Sequence, residues 1–253
     1  MQIRVLGAHG GSTPNHRQTS FLLNGRVALD AGALTETLTL EEQAQVTAIL
    51  VTHSHMDHVA SLPFLVENVF GRAAGAIEIV APPNVTAPLK NHLFNNDLWP
   101  DFTRIPNRLL PTVTFREVET DRPFTLDGLT VTAIPVEHLV PTYGYLVSDQ
   151  GASVLFSGDT GPTEAIWAVA RAAPGLAALF VECSFPDEMA EIARVACHLT
   201  PALLKEEIRK FPPDVPIFLY HMKPTALPAL HRQVAALGEP RVRILSDGET
   251  LTF

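Results

Sequence analysis

The sequence predicts a layered α/β domain, with sheets covered by helices on their outer faces. Short apolar runs bounded by turn residues alternate with amphipathic segments of helix length, which is the pattern of stacked strands and covering helices rather than of a helix bundle. The chain has 253 residues, enough for a well-buried core, and hydrophobic residues make up 46% of it in scattered short runs. No Ser/Gly-rich or uniformly charged stretch marks a linker, so residues 1–253 read as a single domain with an inserted excursion at about 82–111.

The elements follow in chain order. Residues 3–6, 20–23 and 26–29 read as strands, the last two joined by Asn24 and Gly25, a strong two-residue hairpin turn. A buried strand over 48–51 leads to a helix over 59–70 and a strand over 77–80. Further strands are expected over 113–118, 129–135, 143–147 and 153–156, with Asp127 and Gly128, then Gln150 and Gly151, marking turns. Helices over 164–172, 201–210 and 228–237 then alternate with strands over 178–181, 217–220 and 242–245. Thr200 is an N-cap with Pro201 at the first helical position, and Gly238 sits where a helix ends. The excursion is rich in Pro and Asn but carries Leu89, Leu93, Phe94, Leu98, Trp99 and Phe102. It reads as a partly helical segment over the site, at a dimer contact, or simply as packed structure.

Composition excludes several classes. A formal net charge of −9 argues against a protein that tracks a polyanionic backbone, since such proteins present basic patches. No apolar run approaches the roughly 20 residues that span a bilayer, so no membrane partner is expected. The opening residues read as a strand and lack the basic and apolar regions of a signal peptide, which suggests a cytoplasmic protein. Cys183 and Cys197 are too few for a disulfide framework and fit reduced thiols.

The chemistry concentrates behind the strand at 48–51, where His53, Ser54, His55, Met56, Asp57 and His58 supply four possible metal ligands in six residues. Imidazole with carboxylate suits zinc and other borderline divalent ions, and a loop held behind a strand gives a rigid, solvent-open site. Three of the ten histidines fall here, more than a casually histidine-rich surface loop accounts for. Other candidate ligands recur in the same kind of place. His138, Asp159 and His221 each follow an apolar strand, and strands ending along one sheet edge bring such groups together. Singly each would read as a packing, turn or surface residue; with the cluster they complete two metal spheres.

With these residues in this order, the chain resembles the metallo-β-lactamase superfamily, whose signature is HxHxDH followed by later His, Asp and His. The resemblance spans essentially the whole sequence and implies an αββα sandwich with its site on one edge. It also implies that His53, His55 and His138 bind one metal, Asp57, His58 and His221 a second, and that Asp159 bridges them. Two divalent ions about 3.5–4 Å apart hold a hydroxide and neutralise charge developing on a phosphate. Asp57 would both bind metal and orient that nucleophile. Zinc is the expected ion, and manganese and iron accept the same donors.

Substrate class rests on other residues. Glu182 stands at a strand end and His198 just before a helix; a Glu hydrogen-bonded to a His favours the imidazolium, which can protonate a departing alkoxide. Taken singly, Glu182 would be a salt-bridge partner and His198 a surface residue. Their pairing resembles the leaving-group element of superfamily phosphodiesterases, including the tRNA 3′-processing endonucleases. Five segments resemble more narrowly the class II 3′,5′-cyclic-nucleotide phosphodiesterases: residues 157–162 with Trp167; 182–186; 198–201; 221–224; and 93–95 leading to 99–102. Met56, Ala60 and Cys197 stand where that pattern usually has Leu, Gly and Gly, and none of them is a ligand.

The expected reaction is hydrolysis of cAMP or cGMP to the 5′-monophosphate, with a small cyclic nucleotide rather than nucleic acid as partner and a homodimer left open. Lys223 is a candidate for phosphate binding, and Phe94, Trp99 and Phe102 for stacking on the base, with surface and core roles as their alternatives. A tRNA-processing endonuclease would share the metal ligands, but neither a basic Gly-rich excursion nor positive charge is present. A non-catalytic metal-binding signalling module is the other alternative. Lactone, thioester or β-lactam hydrolysis would leave Glu182 and His198 without a task.

Overall fold

The computed structural model describes residues 1–253. The chain opens with strands β1 (Gln2–Gly7), β2 (Ser20–Leu23), β3 (Val27–Leu29), β4 (Ala48–Leu50) and β5 (Ile77–Ala81). A small hairpin, β6 (Pro106–Asn107) with β7 (Leu110–Pro111), precedes β8 (Val113–Glu117). Strands β9 (Phe124–Leu126), β10 (Leu129–Val136), β11 (Thr142–Asp149), β12 (Ala152–Phe156), β13 (Leu176–Glu182), β14 (Ile217–Tyr220) and β15 (Val242–Ile244) form a second sheet. The last strand, β16 (Thr250–Thr252), crosses back to pair with β1, giving two seven-stranded sheets.

The turn at Asn24 and Gly25 has φ of 48° and 71°, with Arg26 N–H donating to Leu23 O at 3.0 Å. Positive φ at both positions is what a tight hairpin demands and what this residue pair tolerates. The inner sheet faces meet through aromatic contacts. Phe21 of β2 lies 5.1 Å from Phe156, 5.7 Å from Phe180 and 5.3 Å from Tyr220 of the opposite sheet. Helices α1 (Leu34–Thr37), α2 (Leu40–Gln43), α3 (Met56–Val59), α4 (Leu62–Val69) and α5 (Pro83–Pro88) belong to the first half. Helices α6 (Ala165–Ala172), α7 (Ala190–Ala196), α8 (Pro201–Ile208) and α9 (Leu227–Ala236) belong to the second, where Trp167, Leu204 and Leu230 pack under them in a separate core. The arrangement is the expected αββα sandwich. No helix is long and apolar enough to cross a membrane.

The helix expected over 59–70 begins earlier and is broken into α3 and α4. Pro63, in the first turn of α4, lacks the N–H that would continue the preceding helix. Helices α1, α2 and α7 were not expected. For α2 a signal existed: Thr39 and Glu42 form a reciprocal capping box, with Glu42 N–H on Thr39 Oγ1 at 3.2 Å and Thr39 N–H on Glu42 Oε2 at 2.9 Å. The excursion is partly helical as expected, and Leu89, Leu93, Phe94 and Phe102 enter the main core.

Candidate metal centre

Strand direction assembles the site. β12, β13 and β14 run parallel, so Asp159, Glu182 and His221 emerge from neighbouring strands at one sheet edge. β4 is parallel to β3 and β5 in the first sheet and delivers His53. His138 follows β10, whose carboxyl end reaches the same edge. The ligand atoms of His53, His55 and His138 lie within 4.8 Å of one another, as do those of Asp57, His58 and His221. Asp159 lies between the sets: its Oδ2 is 3.7 Å from His53 Nε2, 3.2 Å from His58 Nε2 and 3.1 Å from His221 Nε2. The fold thus brings every ligand named from the sequence into one cluster.

The outer hydrogen bonds determine which nitrogens face inward. Asp30 accepts from His58 Nδ1 at 2.7 Å and from the Thr52 hydroxyl at 2.9 Å, so that hydroxyl is free to accept from His53 Nδ1, 3.0 Å away. Thr19 Oγ1 lies 2.7 Å from His221 Nδ1, and the Cys197 carbonyl accepts from His138 Nδ1 at 3.2 Å. These rings then turn Nε2 lone pairs inward, the tautomer a metal ligand needs. His55 is different, presenting Nδ1 at 3.0 Å from His53 Nε2 and 3.3 Å from His138 Nε2. A single proton on His55 Nδ1 can serve only one of these two acceptors at full strength, whereas a cation among the three nitrogens would serve all of them. In addition, His58 Nε2, His221 Nε2 and Asp159 Oδ1 are buried without a hydrogen-bond partner, a costly arrangement that coordination would relieve. The donor set fits two divalent ions.

Electrostatics agree for four of the five imidazoles. Burial holds the imidazoles of His53 and His221 well below their ordinary value and lowers those of His55 and His138, keeping them neutral and able to ligate. His58 goes the other way: although burial opposes charge, the carboxylates of Asp159 and Asp30 raise it well above its ordinary value. Asp159 is held well below the usual carboxylate range by His221 and His58, against its own desolvation. Asp30 is raised by burial despite His58. Asp30 and His221 also have φ of 56° and 64°, left-handed backbone that non-glycine residues adopt at a cost and that clusters at functional sites.

Glu182 and His198 form a buried pair beside the cluster. Glu182 Oε1 accepts from His198 Nδ1 at 2.7 Å and from Thr160 N at 3.1 Å, while Ser184 Oγ donates to Oε2 at 2.9 Å. The His198 ring stacks 5.6 Å from that of His221 and meets His138 edge-on at 5.0 Å. Burial would lower its pKa, but the Glu182 charge and hydrogen bond raise it.

A family model described as a beta-lactamase superfamily domain matches residues 25–233. The chain belongs to the metallo-β-lactamase superfamily. Among curated relatives of this superfamily member, ribonuclease Z of Mycobacterium bovis (strain BCG / Pasteur 1173P2) is 28% identical over 143 residues, 53% of this chain and 51% of the relative. Ribonuclease Z of Mycobacterium sp. (strain KMS) is 29% identical over 156 residues, 58% of this chain and 53% of the relative. The chain thus spans about half the length of the curated relatives it matches. Among solved structures, unliganded yeast PDE1 aligns with a TM-score of 0.82 at 18% identity, covering 100% of this chain and 99% of the other. The short form of human tRNase Z gives 0.71 at 18%, covering 100% and 99%, and YhfI from Bacillus subtilis gives 0.78 at 15%, covering 99% of each. At these identities the structures establish the metallo-β-lactamase fold.

Not every expected contact of the metallo-β-lactamase centre is where the sequence reading placed it. Phe94 and Phe102 are 4% and 7% exposed, packed edge-on against Phe115 and Phe70, so a base has no free face to stack on. Their apolar rings are worth more in the core than at a polar edge. Trp99 is half-buried against Phe64, 5.3 Å between centroids. Lys223 does reach the site: its Nζ donates to Gly10 O at 2.8 Å and lies 4.0 Å from Asp57 Oδ2. Sequence reasoning missed Asp30, Thr52 and Thr19, which hold the imidazoles. The only signal for Asp30 was a carboxylate at a strand end. It missed Gly10 as well, where a Cβ would meet His221 O at 2.7 Å and its ring at 2.8 Å.

Proposed function

We propose that the protein is a binuclear-metal phosphodiesterase that hydrolyses 3′,5′-cyclic nucleotides, cAMP or cGMP, to 5′-monophosphates. His53, His55 and His138 would hold one ion, Asp57, His58 and His221 the other, with Asp159 shared and zinc the expected metal. Such ions supply a nucleophilic water at neutral pH and neutralise charge on the phosphate. The single observation that carries the phosphodiester reading is the Glu182–His198 pair. Its Nδ1 is held by Glu182, and a ring nitrogen lies within 4.8 Å of the ligand atoms of His138 and Asp159.

The roles of the chain's own groups follow. His198, kept protonated by Glu182, gives its proton to the 3′-oxygen as the bond to phosphorus breaks. Glu182 fixes the ring, and its own position is fixed by Thr160 N and Ser184 Oγ. Asp57, one-quarter exposed, orients the attacking water from the open side. Lys223 adds positive charge beside Asp57 for the phosphate.

A second reading, tRNA 3′-processing, has specific support in the relatives named ribonuclease Z, and it weakens the expectation that nucleic acid is not a partner. Against it stands the net charge of −9. The deciding experiment is a hydrolysis panel on zinc-loaded protein with metal analysis of the same sample: cAMP, cGMP, 2′,3′-cyclic nucleotides and a tRNA precursor. Turnover of cAMP or cGMP is expected; salt-steep binding and cleavage of tRNA without cyclic-nucleotide turnover would replace the first reading by the second. Absence of turnover on every phosphodiester, activated aryl esters included, would leave only a metal-binding module.

A further inference from the structure

Beside His198 lies an aromatic face that the expected stacking residues do not supply. Phe185 follows β13, and its backbone is pinned on two sides. Ser184 N and Phe185 N both donate to Leu199 O, at 3.1 and 3.3 Å, and Lys223 N donates to Ser184 O at 3.1 Å. The ring is therefore tied to the two segments that carry His198 and His221. It is half-buried, lies 5.5 Å from the His198 ring at an interplanar angle of 63°, and has Lys223 Nζ 5.7 Å from its centroid.

Phe185 lines a cleft of about 320 Å³ whose other side is the loop Gly10, Gly11, Ser12 and Thr13. That side has to be bare backbone at Gly10, because a Cβ there would meet the backbone and ring of His221 within 2.8 Å. Gly11 is less constrained, since a Cβ on it would stand 3.3 Å from Pro224 Cδ and need only a small shift of that ring. The cleft is lined by no carboxylate, and Lys223 is its one charged group.

We propose that this cleft is the subsite for the base of the substrate, with Phe185 as its stacking platform; the assignment rests on the phosphodiesterase reading above. If phosphate sits at the metal ligands and His198 meets the leaving oxygen, the group attached to that oxygen lies on the His198 side, against Phe185. The volume is at the small end of ligand pockets, which run from about 300 to 1,000 Å³, and suits one flat neutral ring rather than a strand. Stacking on an aromatic tolerates any base, so the platform provides affinity without choosing between adenine and guanine.

The test compares binding of 5′-AMP and ribose 5-phosphate, which share the phosphate and differ by the base, to the zinc-loaded full chain by calorimetry. The wild type is expected to prefer AMP by at least about fivefold, the lower end of the worth of one stacked base. Phe185→Leu keeps the apolar volume and should bring the ratio close to one at unchanged Tm; Phe185→Trp should retain it. A wild-type ratio near one, a preference that survives Phe185→Leu, or no AMP binding overturns the subsite. Failure of the catalytic reading shows separately, as absent cAMP turnover by protein that keeps its AMP preference.

Discussion

Replacing Asp30 tests whether the carboxylate that the sequence reading overlooked governs the centre. Its Oδ2 accepts from His58 Nδ1 at 2.7 Å, and its Oδ1 accepts from Thr52 N at 2.8 Å. Both partners are 0% exposed, so water cannot substitute. Asp30→Ala strands three buried donors, His58 Nδ1, Thr52 N and the Thr52 hydroxyl, at about 1–3 kcal/mol each, a loss of roughly 3–9 kcal/mol of stability. Asp30→Asn keeps the shape but sets an amide N–H against His58 or the Thr52 hydroxyl, favouring the tautomer that puts a proton on His58 Nε2. Loss of such an orienting partner weakens metal binding about 10–100-fold, or roughly 1.4–2.8 kcal/mol. The effect should fall mainly on the ion held by Asp57, His58 and His221. The assay is zinc titration of Asp30→Asn against a competing chelator, with Tm of the metal-free protein alongside. Two zinc ions bound at wild-type affinity would refute the argument.

Other perturbations follow from the same geometry. His198→Ala should keep its zinc content yet lose much more activity on cAMP than on an ester with a nitrophenol leaving group, and equal losses would remove the general-acid role. Because Asp159 and Asp30 raise His58 well above its ordinary value, zinc binding near neutral pH should displace a proton from it. Calorimetry in buffers of different ionisation enthalpy should therefore show buffer-dependent heats, and affinity should fall as the pH is lowered. Gly10→Ala should displace His221 and lower affinity for one of two ions, measured by the same chelator titration. Asp247 accepts from Ala8 N and Arg17 N, both at 2.9 Å, and from His9 Nδ1 at 3.2 Å. Burial opposes its charge, but the His9 and backbone hydrogen bonds lower its pKa. A depressed carboxylate contributes stability above its unfolded value of 3.8, lost as pH falls through its folded value. Asp247→Asn should lower Tm at pH 7 and reduce the loss of Tm on acidification below pH ~4; an unchanged pH profile would contradict this.

Much of the candidate centre was legible because most of its ligands lie just behind a strand, while Asp57 and His58 sit in α3, the helix that follows the loop behind β4. His53 and His55 come off β4, His138 off β10, Asp159 off β12 and His221 off β14, so a short continuous apolar run with a polar residue behind it marked each as a candidate, and the cluster at 53–58 tied them together. Asn24 with Gly25 likewise fixed a turn through local φ requirements alone. The sequence by itself thus determined the candidate ligand types, the strands that carry them and the layered α/β class, with the αββα arrangement implied by the family resemblance. The tertiary structure decided what depends on contacts distant in sequence. Asp30 reaches His58 across 28 residues and Thr19 reaches His221 across 202, and neither pairing leaves a local pattern. β16 crosses from the end of the chain to β1 for the same reason. Phe94 and Phe102 illustrate the opposite error, since an aromatic near a site in sequence is drawn to the core by the apolar area it buries. Phe185 is held beside His198 by backbone bonds from its segment to Leu199 and Lys223, partners that no local sequence pattern announces.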